Sequence, residues 1–193
     1  MISHQDFIDT GALLEGHFRL SSGLHSDRYL QCARLLQWPG RAEAAGRELA
    51  ARLSEFRPAV VVSPALGGLI IGHETARALS TRFLFVERQV GRFALRRGFR
   101  LERGERSVVV EDVFTTGNST RETIAAVEQA GGAVVAVGSI VDRGLPAGAF
   151  PVPARSLLSL SVPAWKAEEC PLCRKGVPVD TPGSRFGVVN RKP

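Results

Sequence analysis

Apolar residues recur along this chain in two rhythms. Over 41–56, Ala and Leu alternate with Glu and Arg at helical spacing, with Pro39-Gly40 before them and Pro58 after, which predicts a helix. From 59 the rhythm becomes strand, turn, helix. Ala59-Val60-Val61-Val62-Ser63 predicts a buried strand, 64–68 a tight turn and 69–80 a helix. A second strand follows over 82–88, a third over 107–113, a turn over 114–118, a helix over 119–130 and a fourth strand over 133–141. Upstream, Ser3 followed by Asp6 marks a helix start, with Phe7, Ile8, Leu13 and Leu14 as the apolar stripe of a short helix reaching Gly16. The stretch 18–31, rich in Ser, Gly and His, predicts a hairpin or extended region with Arg28-Tyr29-Leu30 as a strand.

Short apolar strands alternating with helices predict an α/β fold: a doubly wound, mainly parallel sheet with flanking helices. Beyond Asp142 prolines accumulate and regular elements must shorten, with 155–162 as one further strand. No internal repeat or low-complexity tract is present. One domain over 1–193 is expected, in which 1–37 form a small N-terminal hood, 59–162 the core and 163–193 an irregular tail.

Composition narrows the class. With 44% hydrophobic and 23% charged residues, the chain is neither disordered nor fibrous. No apolar run approaches the ~18 residues that cross a bilayer. The first sixteen residues carry Asp6, Asp9 and Glu15 and lack a secretory pattern, so a cytoplasmic location is expected. Of the 25 basic residues 22 are Arg, and the net charge is +6. Arg88, Arg92, Arg96, Arg97, Arg100, Arg103 and Arg106 crowd one polar stretch, facing there only Glu102 and Glu105. Such a stretch is either an anion-handling surface or a solvated basic hairpin.

Three cysteines are too few for a disulfide framework. Cys170-Pro-Leu-Cys173 has the spacing of half a zinc site, but no second such pair and no nearby His pair exists in the sequence. A plain turn is expected there, with no metal ligand assigned to any protein side chain. His4, His17, His25 and His73 are scattered; His73 and Glu74 predict surface or packing roles, and Trp38 and Trp165 core or dimer contacts.

The densest chemistry lies in Val108-Val109-Val110-Glu111-Asp112-Val113-Phe114-Thr115-Thr116-Gly117-Asn118-Ser119-Thr120. An apolar strand runs into two carboxylates, then a turn of small hydroxyl residues with one Gly, then a helix. In a parallel sheet the acids fall at the carboxyl edge, where open α/β folds bind ligands. The turn amides and the positive end of the following helix suit a phosphate. Neither the Walker loop nor the dinucleotide fingerprint is present. Acids beside a monophosphate pocket suit a phosphorylated sugar, their carboxylates accepting from ring hydroxyls and stabilising positive charge; an acid pair that merely caps the next helix reads the same.

These thirteen positions resemble the signature of the type I phosphoribosyltransferases, which bind phosphoribosyl diphosphate. Phe18-Arg19-Leu20-Ser21-Ser22-Gly23-Leu24-His25-Ser26 and Asp142-Arg143 resemble the orotate-using branch of that family, and the tail 171–185 looks like one of its subgroups. The resemblance covers roughly residues 1–145 and implies transfer of a phosphoribosyl group from phosphoribosyl diphosphate to orotate, giving orotidine monophosphate and pyrophosphate in pyrimidine synthesis, with Mg2+ on the diphosphate. It implies that Glu111 and Asp112 hold the ribose hydroxyls and that Thr115, Thr116, Gly117, Asn118, Ser119 and Thr120 cradle the 5-phosphate. It places Ala65, Leu66 and Gly67 in the pyrophosphate loop, Ser22 through Ser26 on the wall of the base site, and Arg143 on the pyrimidine carboxylate. Arg88 matches the start of a catalytic loop that reaches across a homodimer. The chain departs from the pattern at Arg88-Gln89-Val90-Gly91-Arg92-Phe93, which has no Lys or His, and at Ser21 and Gly67, where the family often carries lysines. A purine or other base transferase, and a non-catalytic regulator that senses phosphoribosyl diphosphate, are the rival readings. Neither nucleic acid nor membrane is an expected partner.

Overall fold

Val60, Val61 and Val62 are wholly buried because their strand is covered on both faces. Val60 and Val62 pack with Val109, Ile124 and Val127, whereas Val61 packs with Leu49, Ile71 and Val108. Alternate residues of one strand therefore feed two cores, as the pleat requires. In the computed structural model, which describes residues 1–20 and 22–182, this strand is β3 (Val60–Pro64), numbered after the hairpin β1 (Leu13–Arg19) and β2 (His25–Leu30). It is followed by α4 (Gly68–Leu79), β4 (Arg82–Gln89), β5 (Arg92–Leu95), β6 (Arg106–Phe114), α5 (Asn118–Gln129), β7 (Ala133–Asp142) and β8 (Ala154–Ser159). Before it lie α1 (His4–Asp9), α2 (Ala33–Leu36) and α3 (Pro39–Leu53), and after the sheet the short α6 (Pro171–Arg174).

The six-stranded sheet has the order β5-β4-β3-β6-β7-β8, parallel except for β5. Helices α3 and α4 cover one face and α5 the other, the doubly wound arrangement that the sequence predicts. From β3 the chain moves outward through α4 to β4; from the neighbouring β6 it moves the opposite way through α5 to β7. Loops leaving adjacent β3 and β6 thus diverge and open a crevice at their carboxyl ends.

The first helix differs from the sequence expectation, and the basic stretch takes the hairpin form the sequence allows. Helix α1 ends at Asp9, and Leu13 and Leu14 belong to β1, paired with Leu30 and Tyr29. Gly11 at φ +64 breaks the helical run between them, and the apolar pair serves the sheet period. The basic stretch after Arg88 is a hairpin whose turn, Val90-Gly91, sits at positive φ (+47 and +83). Trp38 is 56% exposed and so is no core residue. His73 lies on the surface, edge-on to Phe83, as expected.

The separate two-stranded sheet β1-β2 is strapped by the tail. Phe18 bridges Asp180 and His25 bridges Trp165, with Asp180 N donating to His17 O at 2.7 Å and His25 N to Trp165 O at 2.7 Å. This closure seats Cys170 and Cys173 against His17 and His25, so the Cys pair is no isolated turn: the histidine pair that sequence spacing hides lies beside it. Ser21 and 183–193, including the end of the family-like tail, lie outside the described residues.

Candidate functional site

Strand β6 runs through the core as Val108-Val109-Val110 and brings Glu111 and Asp112 to the crevice half-buried. Burial is the main cause that pushes the Glu111 carboxyl up to about 8, helped by the neighbouring Asp112 charge and eased by the Thr120 hydroxyl, 3.4 Å from Glu111 Oε2. Burial also raises Asp112, against the Val113 N–H that donates to its Oδ1 at 2.8 Å. At neutral pH the ligand-free pair therefore carries less than two full charges.

The turn after β3 closes over these acids. Ala65 N donates to Val86 O at 2.9 Å, the Ala65-Leu66 peptide is cis, and Leu66 is 83% exposed. A Cβ built on Gly67 would sit 2.9 Å from Asp112 Oδ1. Glycine is thus the residue that lets this backbone lie on the carboxylate, and a lysine here would require Asp112 to move.

Beyond Asp112, residues 113 and 115–120 together with both acids line a cavity of about 220 Å³. Gly117 caps α5 from the left-handed region at φ +76, and a Cβ there would meet Arg121 at 2.9 Å and the Phe150 ring at 3.0 Å. Arg121 Nη2 donates to Thr116 O at 2.8 Å and to Asn118 Oδ1 at 2.7 Å. This buttress escapes sequence reading, since an Arg in the first turn of a helix ordinarily reads as solvated.

A second cleft, about 510 Å³, shares Thr115 and Thr116 with the first and adds Leu20, Ser22, Leu24, Arg143 and Ala164. The Nε of Arg143 is buried without a hydrogen-bond partner among the described residues. Burial holds that guanidinium below its usual basicity. Its neighbour Asp142 does not pair with it, because Asp142 Oδ1 accepts from Gly144 N at 2.8 Å and Leu145 N at 2.9 Å. Leu20 lies in the resembling stretch 18–26 with no role of its own assigned there, and Ala164 is a lining residue that carries no sequence signal.

Among the expected site residues, 65–67 lie over the acids without lining either cavity, and Ser26 and Arg88 stand away from the crevice. Ser26 is wholly buried and its hydroxyl donates to Pro163 O at 2.6 Å while accepting from Arg28 N at 3.2 Å, so within 22–26 Ser22 and Leu24 face the second cleft and Ser26 ties β2 to the tail. Arg88 lines neither cavity: its guanidinium pairs with Glu122 on α5 at 3.0 Å, donates to Gly91 O at 2.9 Å and lies 4.4 Å over the Phe93 ring. The residues 65–67, 111, 112, 115–120, 22 and 143 gather around one crevice; Arg88 stands apart on the α5 flank.

Comparison with known proteins places this geometry. The chain is 51% identical over 176 residues to the orotate phosphoribosyltransferase of Thermotoga petrophila, covering 91% of this chain and 94% of that protein. The crystal structure of orotate phosphoribosyltransferase from Aeropyrum pernix superposes with a TM-score of 0.66 at 30% identity, over 81% of this chain and 92% of that one. The Mycobacterium tuberculosis orotate phosphoribosyltransferase in complex with 5-phospho-α-D-ribosyl 1-diphosphate superposes with a TM-score of 0.59 at 27% identity, over 69% and 81%. No family model matches the chain.

Proposed function

The chain belongs to the orotate phosphoribosyltransferase family, and from that premise we propose how its two joined cavities divide the reaction. The enzyme is a pentosyltransferase of pyrimidine synthesis, joining orotate to the phosphoribosyl group of phosphoribosyl diphosphate. The smaller cavity takes the 5-phosphate: the amides and hydroxyls of 115–120 and the N-terminus of α5 offer donors around the space that the Gly117 turn leaves open. Glu111 and Asp112 accept from the ribose hydroxyls and face the anomeric carbon as it becomes cationic. Amides of the turn 65–67 take the departing diphosphate, and the larger cleft takes the base, with Arg143 and Ser22 at its wall.

The observation that carries this division is Arg143: a buried guanidinium nitrogen without a partner costs free energy that a planar carboxylate offsets by fork-like hydrogen bonding. No protein nucleophile is needed, since the work is positioning and charge stabilisation. The side-chain ligand atoms lining the acid cavity are oxygens, from two carboxylates, threonine and serine hydroxyls and the Asn118 amide, a set that suits Mg2+. Glu111 and Asp112 are the carboxylates to hold it, largely through water and substrate oxygens. When bound, it offsets the charge of the diphosphate. Arg88 acts, in this reading, on the neighbouring subunit of a homodimer, and the 1–193 unit works as one domain in the cytoplasm.

The experiment is pyrophosphate release with orotate, uracil, adenine, guanine and xanthine offered in parallel, on wild type and Arg143→Ala. Turnover with orotate alone, and an orotate KM raised at least about tenfold in the variant with the donor KM little changed, is the expected result. Equal turnover with a purine, or an unchanged orotate KM, overturns the assignment of the larger cleft.

A further inference from the structure

Four ligand atoms that the reaction does not use converge where the tail crosses the hairpin. His17 Nε2, His25 Nδ1, Cys170 Sγ and Cys173 Sγ all lie within 4.8 Å of one another. His17 Nε2 is 2.9 Å from His25 Nδ1, 3.4 Å from Cys170 Sγ and 3.7 Å from Cys173 Sγ, and Cys173 Sγ is 3.2 Å from His25 Nδ1. A tetrahedron with Zn–N of about 2.0 Å and Zn–S of about 2.3 Å needs edges of roughly 3.3–3.8 Å. Four of the six separations, 2.9–3.7 Å, stand near or just inside those edges, and the other two stay within 4.8 Å.

Protons point the same way. His17 Nδ1 lies 2.7 Å from Val177 O, and a carbonyl can only accept, so the ring proton sits on Nδ1 and the Nε2 lone pair faces the cluster. A backbone carbonyl in this position is the usual device that orients a metal-bound imidazole and fixes its tautomer. The cluster is also largely closed: Cys170 is fully buried, His17 3% and His25 8% exposed, and Cys173 is half-buried. Two thiols and two imidazoles with no open position form a structural set, soft enough to select zinc over magnesium.

The tail needs such a staple. Between 161 and 182 Cys170 is the one buried residue, and Val177 and Val179 are exposed. Apolar burial therefore contributes little to holding the strap, while its crossings at Trp165 and Asp180 flank the Cys pair on both sides.

We infer that His17, His25, Cys170 and Cys173 of a single chain bind one structural zinc ion that clamps the tail onto the β1-β2 hairpin. The clamp sits beside the base cleft: His25 follows Leu24, and Ala164 precedes the bridged Trp165. On the reading of that cleft given above, zinc fixes the wall against which orotate docks.

The test uses the full untagged chain. Elemental analysis of protein from zinc-supplemented cells should give one zinc per chain, retained in Cys32→Ser and lost in Cys170→Ser and in His17→Gln. Because those variants could fail to fold, wild type is stripped with chelator under reducing conditions and titrated with Co2+ alone. Saturation at one cobalt per chain, with the visible bands of a tetrahedral ion and a thiolate charge-transfer band, supports the site, as does a fall in Tm on stripping that Zn2+ reverses. Wild type that holds far less than one zinc and gives no tetrahedral cobalt spectrum overturns it, as does zinc retention in a folded Cys170→Ser/Cys173→Ser variant. A Cys170-Cys173 disulfide in protein that takes up no metal once reduced also overturns it. These readouts stand whatever base the enzyme uses, so failure of the zinc site and failure of the orotate cleft remain separable.

Discussion

Glu111 and Asp112 are adjacent in sequence yet differ in what surrounds them, and their roles divide accordingly. Asp112 lies under the Gly67 backbone, where a charge partner for the anomeric carbon is wanted. Asp112→Asn should lower kcat by at least about 10²-fold, since the variant loses an interaction that grows in the transition state. Thr116→Val and Ser119→Ala should instead raise the donor KM with kcat nearly unchanged, because in the proposed division those hydroxyls face a phosphate that does not react. Steady-state kinetics with orotate separates the two patterns, and an unchanged rate in Asp112→Asn would reduce that residue to a cap. Glu111 makes a different test. Its folded carboxyl titrates at about 8, above its ordinary value of 4.5, so the folded state holds a proton that the unfolded state has lost. Stability contributed by this group therefore falls as pH rises from about 4.5 and is fully lost above about 8. Glu111→Gln removes that loss: its Tm should exceed that of wild type by several degrees at pH 9 and by little at pH 4.5, as thermal melts across that range will show.

At the scale of elements, the phosphate loop depends on how α5 begins. Gly117 is left-handed and pressed against Phe150 and Arg121, so Gly117→Ala both strains the backbone and pushes the loop off its buttress. We expect a loss of roughly 1–3 kcal/mol in denaturant unfolding together with a raised donor KM; a variant of wild-type stability would mean that the loop adapts freely. Arg121→Ala should reproduce the KM effect, because it releases Thr116 O and Asn118 Oδ1.

For the whole molecule the open matter is where Arg88 acts. Within one chain it rests on Glu122, an exposed pair worth at most about 1 kcal/mol, so the hairpin β4-β5 is not locked there. The phosphoribosyl cation must be kept from water until the base attacks, and a basic hairpin that carries Arg88, Arg92 and Arg96 suits that task in the homodimer proposed above. If it serves the neighbouring subunit, mixing Arg88→Ala with Asp112→Asn and allowing exchange yields hybrid dimers with one site intact in both residues. Recovered turnover in the mixture is the expected outcome, and no recovery despite exchange seen by mass spectrometry would confine the hairpin to its own chain.

The doubly wound sheet is legible in the sequence because a buried parallel strand must be apolar on both faces, and Val60-Val61-Val62 and Val108-Val109-Val110 say so locally. The acid pair and the turn that follows it are legible for the same reason: strand, carboxylates, Gly117 and helix are contiguous, so their geometry is set over about a dozen residues. Leu13 and Leu14 mislead because two apolar residues fit a helical stripe and a strand end equally well, and only pairing with β2 decides between them. What the chain alone could not reveal is everything made by closure between distant segments. Ser26 turned toward Pro163 and Ala164 placed on the wall of the cleft both follow from how the tail crosses the hairpin. The gathering of His17 and His25 with Cys170 and Cys173, some 150 residues apart in sequence, is the clearest case. Side-chain chemistry is written in the sequence, but a shared centre for four ligands exists only once tertiary contacts have paid the entropy of bringing them together.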